Sequence, residues 1–343
     1  MSATREILPP SQVVAVDAMG GDHSPDVIVA GVAEAARLHS AVTFLLFGES
    51  QHLRKLISKF PEVADRIVIR ATDVVIPDDE KPSRAMRAEY ESSSLSKAII
   101  AAALGEAQSV VSAANTGIVM ALAMQHIGLI EGISRPAVAS YMPTLRNESV
   151  VLDLGANLTV KGEHLFQFAI LGTALAQTML AIPNPRIGLL NIGTERTKGP
   201  NHIQRGYELI KGNQWPGDFV GFSEPHDLVN GDVDVLVCDG YAGNIMLKST
   251  EATAHLIGAY TKASFKETFL SRLGYMLAAR QFAKLRRRTD PRRYNGAVMA
   301  GLKKVCVKSH GGADSLSFTA ALELSIDMVN EGYATRVSDL LPS

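Results

Sequence analysis

Residues 12–48 read QVVAVDAMGGDHSPDVIVAGVAEAARLHSAVTFLLFG, and this stretch predicts the fold. A short apolar strand at Gln12–Asp17 ends in turn-forming residues, and a helical pattern follows over residues 25–38. A second apolar strand at Val42–Gly48 completes a strand–helix–strand unit. Such units build parallel sheets that are covered by helices on both faces.

The same alternation continues along the chain. A helix over residues 49–59 and a strand over residues 65–71 follow, and five further apolar strands each run into a turn. We therefore expect an α/β protein, a three-layer α/β/α sandwich around a mostly parallel sheet. It would form a single catalytic unit over residues 12–335, with or without a cleft between two lobes, behind a disordered N-terminus at residues 1–11. The five further strand–turn units lie at residues 109–117, 137–143, 149–157, 186–193 and 233–244.

Composition and cysteine usage favour a globular protein of the reducing cytoplasm. The 343 residues are 46% hydrophobic and 20% charged, which allows a large buried core. Cys238 and Cys306 cannot form a disulfide framework, and we interpret both as packing residues. The N-terminus has no apolar export signal. Residues 107–130 and 165–183 are apolar, but polar side chains recur along them, so buried strand–helix segments are favoured over membrane spans.

Small and polar residues follow five of the strands. Because the carboxyl ends of parallel strands meet at one sheet edge, these loops could surround a single anionic ligand. The alternative is that each loop is an ordinary turn, since turns use the same residues. Neither a Walker phosphate loop nor a G-x-G-x-x-G fingerprint is present, which weakens ATP and nicotinamide as ligands. The loops are DAMGGDH (17–23), SAANTG (112–117), DLGAN (153–157), NIGTERTKG (191–199) and DGYAGN (239–244).

Seven motifs, in order, resemble those of the bacterial phosphate acyltransferases of phospholipid synthesis. The resemblance runs from about Val13 to Asp327, nearly the whole chain. Two positions depart from it: Ala114 stands where the family usually has glycine, and Arg196 stands where a second acidic residue usually follows Glu195. The motifs are DAMGGDHSP (17–25), SAANTG (112–117), GISRPAV (132–138), LDLGAN (152–157), LLNIGTERTKG (189–199), DVLVCDGYAGNIMLKSTE (234–251) and SHGGAD (309–314).

The resemblance implies a reaction in which a fatty acyl group passes from acyl carrier protein to inorganic phosphate, giving acyl phosphate. It also implies a fold similar to the isopropylmalate dehydrogenase and phosphotransacetylase group, a homodimer, and transfer of the product to a membrane glycerol-phosphate acyltransferase. Hydrogen phosphate is itself a competent nucleophile. We therefore expect catalysis by positioning and electrostatics, with no metal, cofactor or covalent enzyme nucleophile.

Four residues are predicted to act on the reacting groups. Lys198 would be the cationic partner of phosphate, and Asn244 would orient phosphate or stabilise the carbonyl oxyanion. Lys248 lies four residues further on and would share that helix face. His23 is a candidate general acid to the leaving thiolate, with helix capping and phosphate binding as alternatives, and His310 is a second candidate. The predicted phosphate- and substrate-binding residues are Asp17, Gly20, Gly21, Asp22, Ser112, Asn115, Thr116, Gly117, Asp153, Asn157, Glu195, Asp239, Gly240 and Gly243.

Two carboxylates and two further histidines receive supporting interpretations. Asp153 and Asp239 are expected to hold the cations and loop amides in place. His202 and His226 are interpreted as surface residues.

One segment of the chain is strongly basic, although the net charge of the whole chain is only −1. Lys262–Arg293 contains ten basic and two acidic residues, a balance of +8, whereas the rest of the chain carries −9. Apolar residues recur there at roughly helical spacing, and Gly274 could interrupt the helix. We interpret residues 255–295, hereafter the basic arm, as an amphipathic helical arm. Its predicted contact residues are Phe269, Leu273, Met276, Leu277, Arg280, Lys284, Arg286, Arg287 and Arg288.

Several partners and functions remain open. The basic arm could pack on a dimer mate, dock acidic acyl carrier protein, or contact an anionic membrane surface, and the family resemblance favours the inner face of the plasma membrane. Nucleic acid is least favoured, because the remaining surface is acidic and only 6% of residues are aromatic. A metal-dependent 2-hydroxy-acid dehydrogenase of the same fold group would need aspartate and arginine clusters that the motif loops lack. A non-catalytic membrane-surface scaffold would leave the polar loops unexplained.

Overall fold

The structure, a computed structural model, describes residues 12–213, 215–288 and 290–342, and at residues 286–288, 291 and 293 it describes the backbone. The disorder expected at residues 1–11 lies outside this part of the chain. The strands are β1 (Gln12–Asp17), β2 (Val42–Gly48), β3 (Ile67–Ala71), β4 (Ser109–Ser112), β5 (Ala137–Pro143), β6 (Glu148–Leu152), β7 (Arg186–Leu190), β8 (Asp218–Ser223), β9 (Val235–Val237), β10 (Ala297–Ala300) and β11 (Val305–Lys308). The α-helices are α1 (Asp26–Leu38), α2 (Ser50–Ile57), α3 (Pro82–Ala85), α4 (Ser94–Ala103), α5 (Thr116–His126), α6 (Gly162–Met179), α7 (Asn201–Gly212), α8 (Pro225–Asn230), α9 (Gly240–Glu267), α10 (Phe269–Leu277), α11 (Ala279–Arg288), α12 (Ser315–Asn330) and α13 (Tyr333–Leu340).

The chain forms two compact units, and the first contains residues 12–136 and 295–341. Its strands are ordered β3-β2-β1-β4-β11-β10, and neighbours are parallel except for β10 and β11. The chain runs outward from β1 to β3 and then returns to place β4 on the other side of β1. Right-handed crossovers therefore put α1 and α4 on opposite faces. The carboxyl ends of β1 and β4 form a topological switch point, where open sheets bind ligands.

The core of the first unit explains its apolar strands. Val14, Ala15 and Val16 of β1 are all fully buried, because successive side chains point to opposite faces of the sheet and helices cover both faces. Helix α1 buries Val29 and Val32 and packs against α12. A glycine permits this close packing, since a Cβ on Gly31 would lie 3.1 Å from the Phe318 side chain.

The second unit contains residues 137–294, and its strands are ordered β5-β6-β9-β7-β8. β5 and β6 form an antiparallel hairpin, while β6, β9, β7 and β8 are parallel. Helix α6 packs on α7 and on β9 and buries Phe168 and Leu171. The prediction of a mostly parallel α/β fold is confirmed. The sequence pattern predicts neither β8, which contains glycine and polar residues, nor the β10–β11 hairpin, whose strands are four residues long.

The basic arm is helical but is divided differently from the prediction. Helix α9 ends before Thr268 and α10 ends before Ala278, whereas Gly274 lies inside α10. The rings of Phe265, Tyr275 and Phe282 pack together with centroids 5.0–5.5 Å apart and join the three helices. The side chains of Arg286, Arg287 and Arg288 lie outside the described part of the chain.

The two apolar stretches of the sequence are parts of the core. Residues 107–130 form β4 and α5, and residues 165–183 form most of α6, so their interpretation as buried segments is confirmed. Among the described residues, every helix is too short or too polar to cross a membrane.

Candidate active site

A buried carboxylate marks the switch point of the first unit. Asp17 ends β1 and is 1% exposed, and its Oδ2 accepts a hydrogen bond from Ser112 Oγ, at the end of β4, at 2.8 Å. Ser112 Oγ also accepts from the N–H of Ala114 at 3.0 Å. Burial raises the pKa of Asp17 above its ordinary value, although hydrogen bonds from Ser94 and Ser112 oppose that shift. The pair therefore ties two strand ends together.

The loop after β1 lies closely against its neighbours. A Cβ on Gly20 would lie 2.8 Å from the Ala114 nitrogen and 2.9 Å from the Ala114 Cβ, so the position requires glycine. Gly21 has φ +95°, which side chains disfavour, and the N–H of Asp22 donates to the Gly311 carbonyl at 2.9 Å. Ala114, one of the two departures from the family motif, thus packs directly against Gly20 of this loop.

The side chain of Asn115 is used within the fold. Its Oδ1 accepts from the N–H groups of Gly117 and Ile118 at 2.9 and 3.4 Å, which caps α5, and its Nδ2 donates to the Asp78 carbonyl at 3.1 Å. Thr116 is exposed at the first position of α5. Its hydroxyl has no hydrogen-bond partner in the described chain and is free to bind a ligand.

Lys308 is a site candidate that the sequence analysis missed. It ends β11 opposite Ser112 in the parallel register and is partly buried. Its amine makes no hydrogen bond or ion pair with any described residue. Burial lowers the pKa of Lys308 to about 8, although the carboxylates of Asp78 and Asp22 oppose that shift. The sequence signal that could have identified Lys308 is its position at the end of the apolar run VCVK, directly before the SHGGAD motif. The switch-point cluster, as named below, comprises Asp17, Asp22, Ser112, Thr116 and Lys308.

The two candidate acid histidines differ in their contacts. His23 is exposed, and its side chain has no hydrogen-bond partner in the described residues. Helix α1 begins after Pro25 without a side-chain cap, so the interpretation of His23 as a helix cap is wrong. His310 is exposed, and its Nδ1 accepts the N–H of Gly312 at 3.1 Å, which holds its own turn.

In the second unit, Asp153 organises the loop after β6. The residue is 0% exposed. Its Oδ1 accepts the N–H groups of Val138, Gly155 and Ala156 at 2.9–3.1 Å. Its Oδ2 accepts the backbone N–H and the side-chain amide of Asn157 at 2.7 and 2.9 Å. Burial raises the pKa of Asp153, and these donors oppose the rise. Asp153 therefore holds loop amides, whereas no cation contacts it among the described residues.

Asp239 performs a similar task at the start of α9. Its Oδ1 caps the helix by accepting the N–H of Ala242 at 2.8 Å. Its Oδ2 lies 3.4 Å from Nε2 of His202, which is partly buried. His202 is therefore only partly exposed and contacts Asp239, whereas His226 is exposed as expected.

Asn244 presents an unused amide at the same end of α9. It is partly buried, and its side chain forms no hydrogen bond with the described residues. A Cβ on Gly155 would lie 3.7 Å from the Asn244 side chain, so this amide lies beside the loop that Asp153 organises. Lys248 follows one turn later on the same helix face and is exposed. The glycine at 240 lets the loop approach, because a Cβ there would lie 2.7 Å from the Asn157 carbonyl oxygen.

Lys198 is paired with an acidic neighbour. Its Nζ lies 2.8 Å from Oε1 of Glu195, and both side chains are exposed. The hydrogen bond from Lys198 lowers the pKa of Glu195. Arg196, the second departure from the family motif, places its guanidinium 4.4 Å from the ring centre of Tyr207 and pairs with Glu208.

The two cysteines are packing residues, as predicted. Both are buried and free. Burial raises the pKa of Cys306 to about 12 and shifts the pKa of Cys238 in the same direction, so neither thiol is reactive at neutral pH.

Comparison with known proteins identifies the family. The sequence profile of a family described as fatty acid synthesis protein matches residues 12–336. This chain belongs to that family. A phosphate acyltransferase from Rhodospirillum centenum is 45% identical over 328 residues, which cover 96% of this chain and 92% of the relative. Another from Rhodospirillum rubrum is 44% identical over 329 residues, which cover 96% and 94%. The prediction of an acyltransferase of fatty acid and phospholipid synthesis is confirmed.

Solved structures support the fold. A phosphotransacetylase from Streptococcus pyogenes has a TM-score of 0.63 at 18% identity and covers 95% of this chain and 96% of its own. A branched-chain phosphotransacylase from Enterococcus faecalis has a TM-score of 0.58 at 15% identity, with 93% and 99% covered. At these identities the likeness concerns the fold alone, and it confirms the predicted phosphotransacetylase-like fold.

Proposed function

We propose that the protein transfers a long-chain fatty acyl group from acyl carrier protein to inorganic phosphate, giving acyl phosphate for phospholipid synthesis. The observation that carries the proposal is the similarity, over 96% of the chain, to two proteins named phosphate acyltransferase. Acyl carrier protein is the proposed donor because the matched family is described by fatty acid synthesis.

Phosphate is proposed to bind at the N-terminus of α5, beside Thr116 of the switch-point cluster. Thr116 offers a free hydroxyl at the N-terminus of α5, where the helix dipole favours an anion. His23 is exposed on the loop after β1, which Gly20 and Gly21 hold closely against Ala113 and Ala114. The side chains of Ser112 and Asn115 are engaged within the fold, so we assign them positioning roles.

The thioester carbonyl is proposed to bind beside Asn244. The amide of Asn244 has unused donors and lies beside a rigid loop, which suits it to stabilise the oxyanion that develops on the carbonyl. Lys248 adds positive charge on the same helix face. Lys198 is proposed as the cationic partner of phosphate, and binding of phosphate would compete with Glu195 for its ammonium.

The basic arm is proposed to contact the inner face of the plasma membrane from the cytoplasm. Phe269, Met276 and Leu277 are 71–80% exposed, and Arg280 and Lys284 are exposed on the helices beside them. Apolar insertion is favourable by about 1.5–3 kcal/mol for each side chain that is fully buried. Each basic residue near an anionic surface adds about 1 kcal/mol. Two further roles are proposed for this arm: docking of acyl carrier protein and contact with the second subunit of a homodimer. The proposed recipient of the acyl phosphate product is a membrane glycerol-phosphate acyltransferase.

The proposal is tested by mixing the protein with palmitoyl acyl carrier protein and phosphate and trapping acyl phosphate as hydroxamate. Hydroxylamine also cleaves thioesters, so a matched reaction with sulfate in place of phosphate sets the background. We expect hydroxamate above that background in proportion to the protein added. Release of free carrier protein and fatty acid without phosphate dependence would indicate a hydrolase and overturn the proposal.

A further inference from the structure

We propose that Lys308 is the general acid that protonates the carrier-protein thiolate as it leaves the acyl group, an assignment that rests on the function proposed above. Lys308 ends β11 directly opposite Ser112 of β4. Its amine thus starts from the carboxyl edge of the sheet, in the same cluster as the proposed phosphate site. The motif that resembles the family begins one residue later, at Ser309.

The contacts of Lys308 suit a residue that moves a proton better than one that stabilises the fold. The side chain is partly buried, yet its amine has no hydrogen bond or ion pair in the described residues. A structural lysine in this position would be paired, because burying an unpaired ammonium is unfavourable. The charged groups that face it are Asp22 in the loop after β1 and Asp78 in the loop before α3. The nearby His310 is already held by the N–H of Gly312.

The acidity of Lys308 is matched to the task. Burial lowers the pKa of Lys308 to about 8. An ordinary lysine, with a pKa of about 10.4, releases its proton reluctantly at neutral pH, whereas a thiol has a pKa of about 8.5. Proton transfer is efficient when donor and acceptor are matched near the working pH. At pH 7 most Lys308 side chains still carry the proton that the thiolate needs.

The proton balance closes without a further reactant. An oxygen of hydrogen phosphate attacks the thioester carbon, so a C–O bond forms and the C–S bond breaks. The ammonium of Lys308 gives its proton to the departing sulfur and becomes a neutral amine. The hydroxyl that remains on the acyl phosphate then returns a proton to that amine. The products are the acyl phosphate dianion and the carrier thiol, and Lys308 is regenerated.

The test compares Lys308→Met and Lys308→Arg with the wild type and with Lys303→Met, which removes an exposed lysine from the β10–β11 turn. We expect both Lys308 variants to lower kcat by about 100-fold or more while KM for phosphate stays nearly constant, because arginine keeps the charge but does not release a proton. Wild-type kcat should fall as the pH rises through about 8, and this alkaline fall should be absent in Lys308→Met. Lys303→Met should behave as the wild type.

Three results would overturn the assignment. Wild-type kcat in Lys308→Arg would show that charge alone is needed. A raised KM for phosphate with unchanged kcat in Lys308→Met would make the residue a phosphate ligand. An alkaline fall that persists in Lys308→Met would point to a different acid. Circular dichroism shows whether each variant is folded, and Lys308→Arg keeps the test valid if Lys308→Met does not fold. A wild-type protein that makes no acyl phosphate would instead refute the proposed function.

Discussion

Gly243 of α9 approaches Asp153 so closely that a Cβ on Gly243 would overlap the Asp153 carbonyl oxygen. The same Cβ would lie 2.7 Å from the sulfur of Cys238. Backbone and a buried side chain cannot both move aside, so we expect Gly243→Ala to lower the free energy of unfolding by about 3 kcal/mol or more. Urea denaturation followed by circular dichroism measures this change.

Gly258 provides the matched control in the same helix. A Cβ on Gly258 would have no neighbour within 4 Å. Alanine should therefore stabilise α9 there by about 0.5–1 kcal/mol through its higher helix propensity. Equal losses in both variants would contradict the close approach of α9 to Asp153.

Asp153→Asn should destabilise the second unit. In this variant the side-chain amide nitrogen would replace Oδ2. It would then face two donors of Asn157, the backbone N–H and the side-chain amide, both of which donate to Oδ2 in the wild type. Each buried donor left without an acceptor costs about 1–3 kcal/mol, so we expect a loss of about 2–6 kcal/mol in urea denaturation. Asp227→Asn is a suitable comparison, because the Asp227 carboxylate is only partly buried and accepts one backbone N–H, that of Glu224, besides its contact with His226. A loss no larger than in that control would show that the Asp153 network is weak.

Lys198→Ala should separate activity from stability. The pair between Lys198 and Glu195 is exposed, so its removal should leave the free energy of unfolding nearly unchanged. Acyl phosphate formation should fall by about 100-fold or more if the ammonium stabilises the transferring phosphate. Arg196→Ala removes an equally exposed cation that pairs with Glu208 and should retain activity. Near-normal turnover in Lys198→Ala would remove the residue from the mechanism.

Much of the fold could be predicted because buried parallel strands appear as continuous apolar runs. The predicted bounds of β1 and β2, Gln12–Asp17 and Val42–Gly48, are those of the structure. β11 is only four residues long, and β8 contains glycine and polar residues, so neither stands out from its surroundings. These segments become strands through pairing with partners that are distant in sequence.

The candidate site was harder to predict because its chemistry depends on contacts between distant residues. Asn115 follows a buried strand, where a ligand-binding residue is expected. An asparagine just before a helix also suits an N-cap, and in the structure its side chain caps α5. His202 contacts Asp239, 37 positions later in the chain, and its local sequence does not reveal that partner. Lys308 owes its unusual acidity to burial, which its local sequence does not reveal.

The burial of Lys308 should also appear in the pH dependence of stability. Its folded pKa of about 8 lies below that of an exposed lysine, so the unfolded chain binds the proton more tightly. The resulting cost of folding is complete below pH 8 and disappears as the pH rises towards about 10.4. We therefore expect Lys308→Met to be more stable than the wild type at pH 7, by up to about 3 kcal/mol, and to lose that advantage by about pH 10.4. Urea denaturation at both pH values measures the difference, and an advantage that is independent of pH would refute the shift.

The basic arm should bind anionic vesicles through both its charges and its exposed apolar side chains. Phe269 and Leu277 are 79% and 80% exposed and are the apolar side chains proposed to insert into the membrane. The double variant Phe269→Asp, Leu277→Asp replaces both with carboxylates. We expect this double variant to lose flotation with vesicles that contain phosphatidylglycerol, because insertion and electrostatic attraction are both opposed. Leu104→Asp is the matched control, since Leu104 is 73% exposed in the first unit, and it should float as the wild type does. If the double variant still forms acyl phosphate in solution, the arm is needed for membrane contact and not for the reaction. Equal flotation of all three proteins would leave dimer packing or carrier-protein docking as the function of the arm.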